Sequence, residues 1–199
     1  MSTTRTRRAA LMAATVTAAL VLAACGDAGS GHESGHSSPS SSAASHNAQD
    51  VSFAQGMIPH HRQALEMAEL AADRASSAEV KDLAARIEKA QDPEIETMSG
   101  WLKSWGEETP GMEHNAHSGM PGMPGMMDGA EMTKLEKASG DAFDALFLKL
   151  MVEHHEGAVD MAETEKAKGK YRPATAMADD IVTAQTAEIE EMDKLLGDG

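Results

Sequence analysis

The sequence is poor in residues that cross-link a small fold, since it contains one cysteine, Cys25, among 199 residues. A single cysteine excludes an internal disulfide framework and a zinc site built from several thiolates. Aromatic residues make up only 3% of the chain, whereas there are 15 methionines and the hydrophobic fraction is 41%. The core must therefore be built from Ala, Leu, Ile, Val and Met, which favours helices over strands.

Positive charge is also scarce in the sequence. There are 17 Lys and Arg residues against 32 Asp and Glu residues, which gives a formal net charge of −15. This excess of negative charge argues against a nucleic-acid partner held by phosphate contacts. The sequence also shows no glycine-rich phosphate loop and no nucleophile beside a positioned base.

The first 24 residues have the features of an export signal. Basic residues precede an apolar run over residues 9–24 that is too short for a stable membrane span. The run ends in Leu22-Ala23-Ala24-Cys25, which resembles a bacterial lipobox, where the cysteine is acylated and becomes the first mature residue. We therefore predict a lipoprotein signal peptide over residues 1–24, a lipid on Cys25 and a location at the extracytoplasmic face of the cell membrane. The general and twin-arginine export routes both stay open.

Residues 25–49 are predicted to form a flexible tether, because they consist largely of Gly, Ser, Ala and His. Their histidines, His32, His36 and His46, are either solvated linker residues or weak metal ligands. No polybasic patch follows Cys25 in the sequence, so the lipid rather than electrostatic attraction would hold the protein at its membrane.

The rest of the sequence repeats itself without a gap, since Phe53 recurs as Phe147 at an offset of 94 residues. The first block pairs Met57, His60, His61, Met67 and Glu69 with Met151, His154, His155, Met161 and Glu163. The second block pairs Ile87, Gln91, Glu94 and Met98 with Ile181, Gln185, Glu188 and Met192. We interpret each unit as a helical hairpin. Two such hairpins predict an all-α, antiparallel four-helix bundle over residues 50–197.

Apolar residues at helical spacing predict helices over residues 50–74, 77–105, 133–168 and 173–196. Ser76 and Glu79 have the pattern of a capping box at the start of the second helix, and Gly106 is a stop signal. Pro59 should either bend the first helix or mark its true start. The connection over residues 107–132 is too rich in Pro, Gly and Met to be helical throughout, and connections of this length are usually functional or disordered.

Helical periodicity places both histidine pairs on or beside the apolar face of their helices. With 100° per residue, His60 and His61 fall within about 80° of Met57, and the second pair stands in the same relation to Met151. A histidine pair that is repeated in this way, with flanking methionines, favours a metal site over a satisfied polar core.

Two carboxylates, Glu94 and its repeat Glu188, fall on the apolar face of the partner helices. Burial of an unpaired carboxylate is unfavourable, so each needs a hydrogen-bond donor, a metal ion or a shifted pKa. Counted from the predicted turn, Gln91 lies level with the first histidine pair and Glu94 lies one turn further, near Met57. The histidines are the expected donors or co-ligands. Alternatively, each Glu accepts a hydrogen bond from a neutral His in a core that binds nothing.

The motif Met-x-x-His-His-x-x-Ala-x-x-Met-Ala-Glu occurs at residues 57–69 and again at 151–163. On this doubled motif the chain resembles the bacterial domain-of-unknown-function family 305, from about residue 50 to 197. The resemblance implies a ferritin-like four-helix bundle that is exported or lipid-anchored and, as in some members, binds periplasmic copper in copper tolerance. Position by position, it implies ligands at Met57, His60, His61, Met67, Met151, His154, His155 and Met161. The residue types agree, because imidazole suits several transition metals whereas thioether selects Cu(I). Zinc stays open as a second metal.

The connection between the repeats contains a second group of soft ligands. Met112, His114, His117, Met120, Met123, Met126 and Met127 crowd a Pro/Gly-rich segment that resembles the methionine-rich stretches of extracytoplasmic copper proteins. We expect these residues to be exposed, where methionine does not serve as core filler, and predict Cu(I) capture by Met120, Met123 and Met126. A featureless linker is the alternative, since methionines also pack flexibly.

Three functions stay open at this point. The first is a non-enzymatic copper-binding lipoprotein for sequestration, tolerance or transfer, in which binding weakens as the pH falls through the histidine range. The second is a ferritin-like di-metal oxidoreductase, although such enzymes use Glu-x-x-His pairs and the residues three before these histidines are Met57, Ile58, Met151 and Val152. The third is an interaction module of the cell envelope with structural histidines, for which the sequence indicates no protein partner.

Overall fold

A computed structural model of the protein describes residues 45–111 and 123–197. The helices in this part of the chain are α1 (Ala48–Arg74), α2 (Ala78–Trp105), α3 (Gly129–Lys137), α4 (Asp141–Lys168) and α5 (Arg172–Gly197). These residues contain no strand, so the predicted all-α class is confirmed. None of these helices is both long enough and apolar enough to cross a bilayer.

The four long helices form an antiparallel bundle made of two hairpins. Helix α1 packs on α2, helix α4 packs on α5, and the hairpins meet through α1 and α4. At one end of the bundle the Asn47 side chain donates to the Lys168 carbonyl, and at the other end the Gly140 N–H donates to the Arg74 carbonyl. Helices α1 and α4 therefore run antiparallel, which allows residues that correspond at the offset of 94 to lie opposite each other.

The start of α2 differs from the prediction by one residue. Ser77, not Ser76, is the N-cap, and its hydroxyl accepts from the Val80 N–H at 3.3 Å. Ser76 is held by α4 instead, because its N–H and its hydroxyl both donate to the Asp144 carboxylate. Gly106 ends α2 as predicted, with a φ of 77° that suits a residue without a side chain.

Asp50 and Asp144, which correspond at the offset of 94, each accept hydrogen bonds from the turn of the other hairpin. We call them the latch carboxylates. Asp144 accepts from the N–H groups of Ser76 and Ser77 in the α1–α2 turn. Asp50 accepts from the N–H groups of Lys170 and Tyr171 in the α4–α5 turn. Ser76 and Ser77 likewise correspond to Lys170 and Tyr171 at the offset of 94. The latches were not predicted, because helical periodicity does not relate a carboxylate to a turn of the other hairpin.

The predicted third helix, residues 133–168, is wrong as a single element, because it is divided into α3 and α4. Gly140 lies between them with a φ of 63°, a conformation that L side chains rarely adopt. Leu135 and Phe143 on either side of the break are both fully buried. The apolar periodicity therefore continues across the break, which explains why the pattern indicates one helix.

Smaller corrections concern the helix bounds and the connection. Pro59 lies inside α1, which begins at Ala48, so it does not mark the helix start. Met127 and Met132 belong to the hydrophobic core, with exposed fractions of 3% and 1%. The expectation that the methionines of the connection are all exposed is therefore wrong for Met127, which packs in the core together with Met67, Met132 and Met151.

Candidate metal centre

His60 of α1 and His154 of α4 meet at the middle of the bundle. Both side chains are buried, their ring centroids are 3.8 Å apart, and their planes are inclined by 43°. They correspond at the offset of 94 residues, and the antiparallel packing of α1 on α4 brings them together. The sequence left open one or two sites, and the structure brings the first histidine of each motif to one place.

The second histidine of each motif points to a carboxylate on the partner helix. His61 Nε2 lies 2.7 Å from Glu94 Oε2, and His155 Nε2 lies 2.7 Å from Glu188 Oε2. Each imidazole N–H therefore has an acceptor, and the expected His–Glu pairing is confirmed. The expected register is not, because Glu94 rather than Gln91 is level with the histidines.

Several buried ring nitrogens have no hydrogen-bond partner among the described residues. They are Nδ1 of His60, His61, His154 and His155, together with Nε2 of His154. Buried polar atoms are normally hydrogen-bonded, so a group of unpartnered atoms at one place calls for an explanation. An imidazole nitrogen with a free lone pair is the commonest metal ligand in proteins, and each of these four rings, when neutral, has one such nitrogen.

Burial keeps the two central histidines neutral. It lowers the pKa of His60 to about 3, with a further lowering by the nearby His61 and an opposing effect of the Pro124 carbonyl. Burial also lowers the pKa of His154 well below its usual value, and the neighbouring His60 adds to the effect. At these two rings, protons therefore compete with a metal ion only at a pH below the ordinary histidine range. The expectation from the sequence assumed that ordinary range.

The segment 123–127, which we call the strap, closes the bundle beside His60. The His60 Nε2–H donates to the Pro124 carbonyl at 3.1 Å, which leaves Nδ1 as the lone-pair nitrogen of the neutral ring. The Gln63 amide fastens the strap to α1, since its Nε2 donates to the Met127 carbonyl and its Oε1 accepts from the Met127 N–H. The strap thus fixes both the orientation and the tautomer of His60.

Glycine at position 157 allows the strap to lie directly on α4. A Cβ atom on Gly157 would overlap the Pro124 carbonyl oxygen and would lie 2.7 Å from the Gly125 Cα. Gly157 is the repeat equivalent of Gln63. In α1 this position holds the strap through the two hydrogen bonds of Gln63. In α4 the absence of a side chain at Gly157 leaves room for the strap backbone. These contacts were not predicted from the sequence, because nothing in its pattern relates the connection to either residue.

Three of the predicted methionine ligands lie inside the bundle. Met57 and Met151 are fully buried, one turn before the histidine pairs on the same faces of α1 and α4. Met67 is also fully buried and packs in the core. The structure therefore provides thioethers in the same apolar interior as the four imidazoles.

Two further predicted ligands lie together at the edge of the strap. The Met123 methyl group and the Met161 sulfur are each 3.8 Å from the point where a Cβ atom on Gly56 would lie. Both side chains are partly exposed, as is that of Met126. This side of α1 thus has a pair of accessible thioethers close to the outer face of the strap.

The other predicted sites lie outside the described residues. They are Cys25, His32, His36, Met112, His114, His117 and Met120. Within residues 45–111 and 123–197, no three His, Cys, Asp or Glu side chains converge on a common point. A metal centre in the bundle would therefore draw on thioethers as well as on imidazoles.

A protein-family model described as "Domain of unknown function (DUF305)" matches residues 50–196. The chain belongs to the DUF305 family. The resemblance based on the doubled motif is thereby confirmed over nearly all of the described residues. One solved DUF305 relative is described as a secreted protein of Streptomyces coelicolor. It is 35% identical to this chain with a TM-score of 0.68, and the match covers 75% of this chain and 93% of that one. A fragment from Deinococcus radiodurans gives 31% identity, a TM-score of 0.67 and coverage of 77% and 98%.

CopM is a further solved relative of this DUF305 chain. Its Cu(I)-bound form gives 32% identity, a TM-score of 0.63 and coverage of 75% of this chain and 96% of CopM. CopM has also been solved with Cu(II), with silver and in the apo form. No curated protein sequence matches the chain significantly.

Proposed function

We propose that this DUF305 chain is an extracytoplasmic lipoprotein that binds copper in order to sequester it, to provide tolerance or to pass it on. The pair formed by His60 and His154 carries the proposal. These rings are buried and in contact, burial keeps them neutral, and three of their four nitrogens have no partner among the described residues. The copper-bound forms of CopM and the secreted designation of the Streptomyces relative support the metal and the location.

The ligand set suits copper in both oxidation states. Imidazole binds Cu(II) and Cu(I), whereas the thioethers of Met57 and Met151 favour Cu(I). Zinc would use the imidazoles but gain little from the thioethers. Met123 and Met161 would bind Cu(I) at the outer face of the strap, where Met126 is also partly exposed. Met120 is a further Cu(I) ligand that the sequence predicts, and it lies outside the described residues.

The proposed protein is a binder and not an enzyme. A ferritin-like di-metal oxidoreductase needs carboxylates three residues before its histidines, and this chain has apolar side chains there. The carboxylates that are near, Glu94 and Glu188, already accept hydrogen bonds from His61 and His155. In the proposed centre they orient these rings and stabilise the tautomer with a free Nδ1.

Copper titration of the processed chain, which begins at residue 25, tests the proposal. Native mass spectrometry gives the stoichiometry for Cu(I), Cu(II) and Zn(II), and competition with a chromophoric chelator gives the Cu(I) affinity. We expect His60→Leu/His154→Leu to weaken the tightest copper site by more than the roughly 100-fold that loss of an outer-shell partner causes. His46→Leu, at the end of the bundle, is the matched control and should leave this site intact. Met120→Leu/Met123→Leu/Met126→Leu should remove only weaker sites.

Other outcomes would redirect the assignment. Unchanged copper stoichiometry and affinity in the folded double variant would make the histidines structural and favour the envelope interaction module. A coupled di-iron spectrum with oxygen consumption would favour the oxidoreductase. The lipid is tested separately, since Cys25→Ser should release the protein from the membrane fraction in a high-salt wash without a change in copper affinity.

A further inference from the structure

One end of the bundle collects aromatic residues that are rare elsewhere in the chain. The chain has two tryptophans and one tyrosine, and all three lie where α1 begins and α2 ends. Tyr171 contacts both Trp101 and Trp105 edge-on, with centroid distances of 5.5 and 5.2 Å, and His46 stacks on Trp105 at 4.4 Å. All four side chains are partly exposed. We call this group the aromatic end.

Four exposed cations surround the aromatic end, although the chain as a whole is strongly acidic. Lys103 lies between the two tryptophans in α2, Lys170 and Arg172 flank Tyr171, and Lys168 ends α4. None of these side chains has an ion pair within the described residues. The sequence shows no polybasic run, and the fold creates this patch by joining the end of α2 to the α4–α5 turn.

The carboxylates near the aromatic end are few or buried. Asp50 and Glu165 are both inaccessible to solvent. Glu107 is exposed just after α2, but the chain then leads away from this end, since the Glu108 carbonyl accepts from the Gln55 side chain on α1. The next exposed carboxylates along α4 and α5, Glu163 and Asp179, pair with Lys166, so the unpaired cations decide the local charge of the aromatic end.

The chain enters the bundle at the aromatic end, where His46 stacks on Trp105. The 27 residues of α1 span about 40 Å. A lipid on Cys25, which precedes His46 by 21 residues in the sequence, would therefore tether the bundle from this end rather than from the opposite one. This step depends on the lipid proposed above, whereas the aromatic and basic character of the surface does not.

We propose that the aromatic end docks on the interface of an anionic lipid bilayer. Tryptophan and tyrosine rings favour the headgroup region because they combine an apolar body with a polar tip. Lysine and arginine side chains around them would pair with anionic headgroups. Docking in this way holds the bundle upright and places His60 about 18 Å above the end that contacts the membrane.

Tryptophan emission of the processed chain carrying Cys25→Ser tests docking without the lipid. Because both tryptophans are at the aromatic end, vesicles that contain phosphatidylglycerol should shift the emission to the blue, and phosphatidylcholine vesicles should not. Lipids brominated near the headgroup should quench the shifted emission. High salt should reverse the binding, because the attraction is electrostatic.

Two charge-reversal variants with equal net charge locate the surface. Lys103→Glu/Lys168→Glu/Lys170→Glu/Arg172→Glu changes the aromatic end, and Lys81→Glu/Lys134→Glu/Lys137→Glu/Lys194→Glu changes exposed lysines elsewhere on the bundle. The first variant should lower the vesicle partition coefficient more than tenfold, whereas the second should change it much less. Copper affinity should be the same in both, so that failure of docking and failure of copper binding are distinguishable.

Three results would overturn the docking proposal. One is an emission spectrum that anionic vesicles leave unchanged. Another is an equal loss of binding in the two variants, which would mean that overall charge decides. The third is a blue shift that grows with protein concentration in the absence of lipid, which would show that a second copy of the chain covers the aromatic end.

Discussion

The two halves of the bundle share their helices and their latches but differ in what faces each latch. Asp144 accepts from Ser76 and Ser77 at the end where Ala71 is buried. Asp50 makes the equivalent bonds at the other end, where the repeat equivalent of Ala71 is Glu165. One end therefore contains one buried carboxylate, and the other contains two.

The second carboxylate makes one end of the bundle sensitive to protons. Burial raises the pKa of Glu165 to about 8, and the hydrogen bond to Asp50 and its negative charge act in the same direction. Burial would also raise the pKa of Asp50, but hydrogen bonds from Tyr171, Glu165, Asn47 and Lys170 outweigh it and lower that pKa. A buried Glu165, whose raised pKa favours the protonated form, thus stands where the other half has the apolar Ala71.

The halves differ again at the metal centre, although the His–Glu pairs and the buried Met57 and Met151 are common to both. Gln63 binds the strap through its side chain, whereas its equivalent Gly157 makes room for it. His60 donates to the strap, whereas the His154 side chain forms no hydrogen bond with the strap residues 123–127. The parts that hold the helices together are thus duplicated, while the parts that close the centre are specific to one half.

The largest loss of stability is expected when Asp144 is removed, the latch carboxylate that has no second buried carboxylate beside it. Asp144→Ala leaves the Ser76 and Ser77 N–H groups without their charged acceptor, so we expect the free energy of unfolding to fall by about 2–4 kcal/mol. Urea denaturation followed by circular dichroism measures this change. Asp193→Ala, at an exposed site, is the control and should stay within about 0.5 kcal/mol of the wild type. A loss below about 1 kcal/mol for Asp144→Ala would contradict a stabilising latch.

The strap contact on α4 should come next. Gly157→Ala adds a methyl group against the Pro124 backbone, so we expect a loss of about 1–3 kcal/mol, visible as a lower Tm. Gly100→Ala adds the same group to α2, where nothing lies within 4 Å, and should stabilise the protein by up to about 1 kcal/mol. Equal stability of the two variants would show that the strap does not press on α4.

Rising pH should destabilise the end of the bundle that contains Asp50 and Glu165. Folded protein keeps the Glu165 proton up to a pH of about 8, whereas unfolded chain releases it near 4.5. Between these values the folded state binds more protons, so rising pH lowers stability, by at most about 1.4 kcal/mol per pH unit. Glu165→Gln should flatten this dependence in thermal unfolding from pH 5 to 9 and exceed the wild-type Tm at pH 9. The exposed Glu163→Gln should retain the wild-type slope; if Glu165→Gln retained it too, Glu165 would not be the group responsible.

The smallest effect is expected for the ion pair between the outer helices. Arg86 of α2 pairs with Glu191 of α5, and the equivalent positions, Asp180 and Thr97, form no such pair. Both side chains are largely exposed, so Arg86→Ala should lower the free energy of unfolding by less than about 1 kcal/mol, and by less still at high salt. A larger loss in urea denaturation would show that this one-sided contact, rather than the packing of α1 on α4, joins the hairpins.

Much of the fold and part of the site could be predicted from the sequence. Apolar residues at helical spacing predicted the four long helices, and the doubled motif predicted that His60, His61, His154 and His155 point inward. The break at Gly140 was missed because Leu135 and Phe143 keep the same apolar period on both sides of it. Met127 was misplaced because composition alone does not tell whether a chain segment returns to the core.

The sequence by itself determined the duplicated hairpin and the inward faces of its helices, because helical geometry relates neighbours along the chain by fixed angles. Tertiary structure decided which of those residues meet. The contact of His60 with His154, the Pro124 carbonyl on His60 and the carboxyl pair of Asp50 and Glu165 each join groups from distant segments. Such contacts depend on the level at which α1 packs on α4 and on the path of the connection, and a periodic pattern specifies neither.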